Sequence, residues 1–194
     1  MLQNVVFLDR DGVINHDSPD YIKSWEEFEF LPGSIDAIVK LTRKHCPVII
    51  ISNQSAVGRN LMSRTELDRI FSNMGSAIES RGGRILEVFF CPHQPEDNCD
   101  CRKPRPGLIF KARDKYDIDL ASAVMVGDSL RDIECARNAG CGRAVLVESG
   151  YEPIDLETLR HSNNEPDHIA PDLRHAADWI TKHLTHPTAS NDDA

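Results

Sequence analysis

The 194-residue sequence predicts an α/β fold, a Rossmann-like parallel sheet with helices on both faces. Two observations carry the reading. Short β-type apolar runs recur along the chain, and the stretches between them repeat their apolar residues at helical spacing. The runs are apolar at consecutive positions, so both faces of each strand are expected to be covered, as in a parallel sheet. A hydrophobic content of 40% supplies the core such a sheet needs and excludes a disordered chain.

The elements follow in order. Residues 5–8 form the first strand, and a helix after Pro32-Gly33 places Ile35, Ile38, Val39 and Leu41 on one face. The second strand covers 48–51. Ser63 with Glu66 three residues on is a capping-box pattern that opens a helix carrying Leu67, Ile70, Phe71, Met74 and Ile78. A third strand at 85–90, a helix at 106–116, a fourth strand at 123–126, a helix at 130–139 stopped by Gly140 and a fifth strand at 143–147 complete the alternation. "DHIAPDLRHAADWITKHL" reads as a short edge strand and a terminal helix. Residues 1–185 are thus expected to be one domain and 186–194 a disordered tail.

The bulk charge narrows the partners. With 31 acidic against 22 basic residues the net charge is −9, which disfavours extended contact with nucleic acid or an anionic membrane. No apolar run reaches the roughly 20 residues needed to cross a bilayer. The start "MLQNVVFLDR" carries no signal-peptide pattern, so a cytoplasmic protein is expected, and no amphipathic surface calls for more than a monomer.

Chemistry gathers where the strands end. The first strand runs into Asp9 and Asp11, the second into Ser52, Asn53, Gln54 and Ser55, and the fourth into Gly127-Asp128-Ser129, with Asp132 four residues after Asp128. Lys103 lies between the last two. Each alone reads as a turn, a helix cap or a solvated charge; their occurrence at successive strand ends is what points to a site, because parallel sheets bind ligands there. Asp9, Asp11 and Asp128 form an oxygen-rich set suited to Mg²⁺, which offsets carboxylate repulsion and admits an anionic phosphate. Ser52, Asn53 and Lys103 offer hydrogen bonds and charge to phosphoryl oxygens. An aspartate can attack phosphorus, and a second carboxyl group can serve as general acid and base.

In order, "DRDG", "SNQS", "RKP" and "GDSLRD" resemble the four motifs of haloacid-dehalogenase-type phosphatases, over most of residues 4–150. The resemblance implies a haloacid-dehalogenase-like fold, Asp9 as nucleophile, Asp11 as general acid/base, Ser52 and Lys103 as phosphoryl stabilisers and Asp128 as the completing Mg²⁺ ligand. The stretches after Gly12 and after Ser55 are too short for a separate cap domain, given that domains usually exceed about 50 residues.

"CPHQPEDNCDC" places Cys91, His93, Cys99 and Cys101 within one short segment, a donor set for tetrahedral Zn²⁺ of the closed, structural kind. The zinc-binding loop, 91–103, runs directly into Arg102 and Lys103, so metal there would aim the cations that meet phosphate. A zinc loop before the lysine resembles D,D-heptose 1,7-bisphosphate phosphatases and the related histidinol-phosphate phosphatases, with "DRDGVIN", "SNQSAVGR" and "CRKPRPG" leaning to the heptose branch. That resemblance implies a small phosphosugar substrate, Arg102 as the substrate-recognition position, and a substrate-contacting loop around Asp17 and Asp20. Two phosphates need more positive charge than one, which Arg59, Arg102 and Arg105 could supply. The competing expectations are histidinol phosphate as substrate and, from another class, a zinc-stabilised binding module without catalysis.

Overall fold

A computed structural model of the chain describes residues 1–151 and 165–183. Among these, β1 (Val6–Leu8), β2 (Val48–Asn53), β3 (Glu87–Cys91), β4 (Val124–Gly127), β5 (Arg143–Val147) and β6 (His168–Ala170) form one sheet in the order β3-β2-β1-β4-β5-β6. Every pairing is parallel.

The unbroken apolar character of the inner strands has a direct cause: each feeds two cores. Val6 and Leu8 of β1, Val48 and Ile50 of β2, and Val124 and Val126 of β4 point into one. Phe7, Ile49, Ile51 and Met125 point into the other. Helices α1 (Ser34–Arg43) and α3 (Arg64–Ser80) cover the first face, joined by α6 (Leu173–Lys182). Helices α4 (Gly107–Tyr116) and α5 (Leu130–Ala139) cover the second. Cys135 and Cys141 are packed in the second core and Cys46 in the first, as small apolar residues.

Half of the capping box read from the sequence is present: Ser63 Oγ accepts from the Glu66 amide at 3.1 Å, whereas the Glu66 carboxylate accepts from the Trp25 amide at 3.2 Å rather than from that of Ser63. Gly140 ends α5 in the left-handed region, φ 78°. Two expectations shift. The third strand lies at Glu87–Cys91 rather than 85–90, because its ladder with β2 runs from Ile49 opposite Glu87 to Asn53 opposite Cys91. The second strand runs on to Asn53, past the expected 48–51, and a four-residue helix, α2 (Ser55–Gly58), follows it. The expected tail at 186–194 lies outside the described residues.

Residues 9–33 fold into a loop over the sheet rather than a second domain. Asn15 bridges Phe30, and Trp25, Phe28 and Phe30 cluster with ring centroids 4.9 to 6.4 Å apart against the first core. The site above the sheet is therefore open. The chain winds outward from β1 to β2 and β3, then returns to place β4 on the other side of β1. Strand order reverses between β1 and β4, where such sheets bind ligands beyond the strands' carboxyl ends.

Candidate active site

Asp9 and Asp128 leave adjacent strands at that reversal. The Asp9 amide still donates to the Val126 carbonyl at 2.9 Å, which ties the residue after β1 to β4. Asp9 Oδ1 accepts from the Arg10 amide at 2.7 Å, and Oδ2 lies 2.8 Å from Lys103 Nζ. Lys103 also meets Asp132 Oδ1 at 2.6 Å. The other Asp132 oxygen accepts from the Ser129 amide at 3.1 Å and its hydroxyl at 2.6 Å, closing a capping box at the start of α5. One fully buried carboxylate thus caps a helix and anchors the lysine.

Asp128 is different: it accepts no hydrogen bond from any described residue. Gly12 makes room for it. At φ 74° a side chain there would be strained, and a Cβ would stand 2.2 Å from Asp128 Oδ2. Ser149 Oγ donates to the Gly12 carbonyl at 2.7 Å, fixing this turn to the segment after β5.

Burial pushes the Asp9 carboxyl up to about 7, with the Lys103 charge opposing. Burial, then the charges of Asp132 and Asp9, push Asp128 up to about 8. Lys103 is held above its ordinary value: burial would lower it, but Asp132 and Asp9 outweigh that. Carboxylate oxygens of Asp9, Asp128 and Asp132 lie within 4.8 Å of one another. Asp9 and Asp132 are each engaged on both oxygens, but the Asp132 side chain is 0% exposed and that of Asp9 is 15% exposed, so Asp9 and the unpartnered Asp128 are the side chains best placed for a hard divalent cation. The donor set fits one.

Asp11 does not join that group through its side chain, contrary to the expected ligand set. Its Oδ1 accepts from Arg10 Nε (3.0 Å), Arg10 Nη2 (2.6 Å) and Asn15 Nδ2 (2.9 Å), and Oδ2 from Gln54 Nε2 (2.9 Å). Burial alone would raise its pKa, but the Arg10 charge and these hydrogen bonds hold it below the usual carboxylate range. Arg10 is 1% exposed, and its guanidinium lies over the Phe71 ring, 5.8 Å from the centroid.

Ser52 and Asn53, expected to meet phosphoryl oxygens, also make contacts within the protein. Ser52 is 1% exposed and does not line the cleft; its Oγ accepts from Gln54 Nε2 at 2.8 Å. Asn53 clamps the Lys103 backbone, its Oδ1 accepting from the Lys103 amide (3.1 Å) and its Nδ2 donating to the Lys103 carbonyl (3.2 Å). The end of β2 therefore positions the lysine rather than presenting all its polar groups to a ligand.

Lys103 is reached from the cysteine segment. Cys91, at the end of β3, lies 3.5 Å from His93 Nδ1, 3.5 Å from Cys99 Sγ and 3.2 Å from Cys101 Sγ. Cys101 is 3.3 Å from His93 Nδ1 and 3.5 Å from Cys99. A tetrahedron of thiolates about Zn²⁺ has edges of roughly 3.7 Å, so these four donors fit one with no position left over. The loop is pinned outside the cluster by Gln94 Nε2 on the Gly58 carbonyl (3.0 Å) and Arg105 Nη1 on the Cys99 carbonyl (2.9 Å).

These elements enclose a cleft of about 330 Å³. Of the expected residues, Asp9, Asp11, Asp17, Asn53, Gln54, Ser55, Arg102, Lys103 and Asp128 line it. Asp20 and Arg59 do not: both are exposed, and Arg59 caps the C-terminus of α2 outside the cleft. Sequence reasoning gave no role to Arg10, Arg131, Asp132 or Tyr151, all of which line it. For Asp132 a signal existed in "SLRD", whose first and fourth residues make a capping box; its grip on Lys103 is long-range and left no local trace.

A parallel sheet with an aspartate at the end of its first strand, a lysine paired to it and acidic residues after the fourth defines a haloacid-dehalogenase-type phosphatase. A family model described as "HAD-hyrolase-like" matches residues 100–176. The D-glycero-β-D-manno-heptose-1,7-bisphosphate 7-phosphatase of Bordetella bronchiseptica is 42% identical over 155 residues, covering 75% of this chain and 87% of that protein. The Neisseria meningitidis serogroup B protein of that name is 35% identical over 185 residues, 95% of this chain and 98% of its own. A crystal structure of D,D-heptose 1,7-bisphosphate phosphatase from B. bronchiseptica, complexed with magnesium and phosphate, superposes with a TM-score of 0.84 at 39% identity, over 92% of this chain and 98% of that one. The chain belongs to the family of D-glycero-D-manno-heptose-1,7-bisphosphate 7-phosphatases.

Proposed function

We propose that the chain hydrolyses the C7 phosphate of D-glycero-β-D-manno-heptose 1,7-bisphosphate, with Asp9 as the nucleophile. The observation that carries this is the placement of the Asp9 carboxylate. It stands at the strand-order reversal, 2.8 Å from a buried lysine and beside an unpartnered Asp128. An Asp9 oxygen attacks the C7 phosphorus, and the bond from phosphorus to the sugar oxygen breaks. Asp11 gives that oxygen its proton, then takes a proton from the water that attacks the aspartyl phosphate and releases inorganic phosphate. Protonating Asp11 requires loosening its pairing with Arg10, which holds it ionised in the free enzyme. Lys103 meets the charge on the transferred phosphoryl oxygens, and Arg102 faces the rest of the substrate.

Two metals enter this reading. Asp9 and Asp128 would hold Mg²⁺, which supplies Lewis-acid neutralisation of charge at the phosphoryl group. Magnesium accompanies phosphate in the B. bronchiseptica structure. Cys91, His93, Cys99 and Cys101 would hold Zn²⁺ as a structural staple that sets the path of Arg102 and Lys103. All six cysteines are unbridged, three of them as the zinc ligands of this reading, which supports a reducing, cytoplasmic setting.

The test is phosphate release from heptose 1,7-bisphosphate and from histidinol phosphate in parallel, with and without Mg²⁺, for the wild type and Asp9→Asn. Mg²⁺-dependent release from the heptose substrate, abolished in Asp9→Asn, is expected. Faster release from histidinol phosphate would move the chain to the other branch, and release by Asp9→Asn at the wild-type rate would end the mechanism.

A further inference from the structure

We propose that Arg131 is a specificity-determining residue whose guanidinium binds the phosphate that the enzyme leaves in place. The proposal rests on the bisphosphate reading above and adds a residue to it. Beside the main cleft lies a second depression of about 260 Å³, and the two share Arg102, Lys103 and Arg131 in their walls. The second also takes in Arg105 and is lined by no carboxylate. In a chain of net charge −9 this is a local reversal of sign, placed next to an acidic centre.

The cations there are not equally free. Lys103 is held by Asp9 and Asp132, and Arg105 donates to the carbonyls of Asn98 and Cys99. Arg102 gives one N–H to the His93 carbonyl at 3.2 Å. Arg131 makes no hydrogen bond or ion pair with any described residue, and its side chain is at the rim where the two hollows meet. Its backbone is set by the Ser129–Asp132 capping box on either side of it, so the guanidinium springs from a fixed helix turn. A substrate whose reacting phosphoryl group sits against Asp9 and Lys103 must carry its other phosphate elsewhere, because the carboxylates there repel it. The rim between Arg102 and Arg131 is a wall of the required sign in the same cleft. A guanidinium can take a phosphate with two parallel N–H donors, which lysine cannot do.

The test compares Arg131→Gln and Arg131→Lys with wild type on heptose 1,7-bisphosphate and on the corresponding heptose 7-phosphate, which lacks the second anion. Loss of a charge-assisted contact should lower the kcat/KM ratio of bisphosphate to monophosphate by about tenfold or more in Arg131→Gln, mostly through KM. Arg131→Lys should recover part of that ratio. An unchanged ratio, or equal losses on both substrates, overturns the assignment while leaving the phosphatase reading in place. Failure of the wild type to release phosphate from the bisphosphate would instead overturn the underlying reading, and the assignment with it.

Discussion

Asp132 carries the sharpest test of how the site is built. Asp132→Asn keeps the volume but removes the charge, and neither orientation of the amide satisfies both sides. One Asp132 oxygen faces the Lys103 ammonium at 2.6 Å and the other accepts from the Ser129 amide and hydroxyl, so the new NH₂ would confront a donor whichever way it turned. The side chains of Lys103 and Asp132 are 2% and 0% exposed, so water cannot step in. Removing one partner of a buried pair costs about 3–5 kcal/mol, and the low end applies because Asp9 still faces the lysine. At about 2–4 °C per kcal/mol for a domain of this size, the melting midpoint should fall by roughly 6–12 °C, read by calorimetry at fixed metal concentration. Turnover should fall as well, since Asp9 alone then holds the ammonium. A double-mutant cycle with Lys103→Met isolates the coupling. Additivity within about 0.5 kcal/mol, or a midpoint shift below about 2 °C, would refute the reasoning.

Gly12→Ala should cost about 1–2 kcal/mol for the left-handed backbone and displace Asp128 further, so kcat should drop out of proportion to the melting midpoint; equal effects on both would show that Asp128 is not disturbed. Stripping zinc should reduce turnover with Mg²⁺ in excess, because the cysteine loop sets the path of Lys103; a verified zinc-free sample with unchanged turnover would contradict this. Arg59→Ala should leave kcat and KM for the bisphosphate within about twofold of wild type, as expected for a surface substitution outside the cleft. A larger KM effect would restore the substrate-binding role that the sequence pattern assigned to Arg59.

Much of this was legible in the sequence because the physical cause was local. Strands such as Val48–Asn53 announce burial on both faces by their unbroken apolar run, and Ser63 with Glu66 announces a helix start. The four cysteine-loop donors are close in sequence, so their convergence at 3.2 to 3.5 Å needed only a turn. What stayed hidden depends on partners far apart along the chain. Nothing near Asn53 says that its amide brackets the Lys103 peptide fifty residues on, and nothing near Asp11 says that Gln54 reaches it. Arg59 and Arg131 look alike as charges. Only the packing of α2 and α5 puts the first outside the cleft and the second on its rim.

The arrangement also explains why two aspartates can follow one strand without defeating the fold. Asp11 is neutralised at once by Arg10, with Asn15 and Gln54 completing its shell, so its charge is settled inside the loop that carries it. Asp9, Asp128 and Asp132 are settled differently, since one lysine serves three carboxylates and two negative charges are left over. Burial raises the pKa values of Asp9 and Asp128 and that surplus adds to it, and the surplus matches the charge of a divalent cation. Once it is cancelled, the centre no longer repels an approaching phosphate. A second phosphate is then the remaining negative group, and the carboxylate-free wall of Arg102, Arg105 and Arg131 lies where it can be met. Acid at the centre and arginine at the rim are two halves of one charge balance, which a substrate with one phosphate would only half fill.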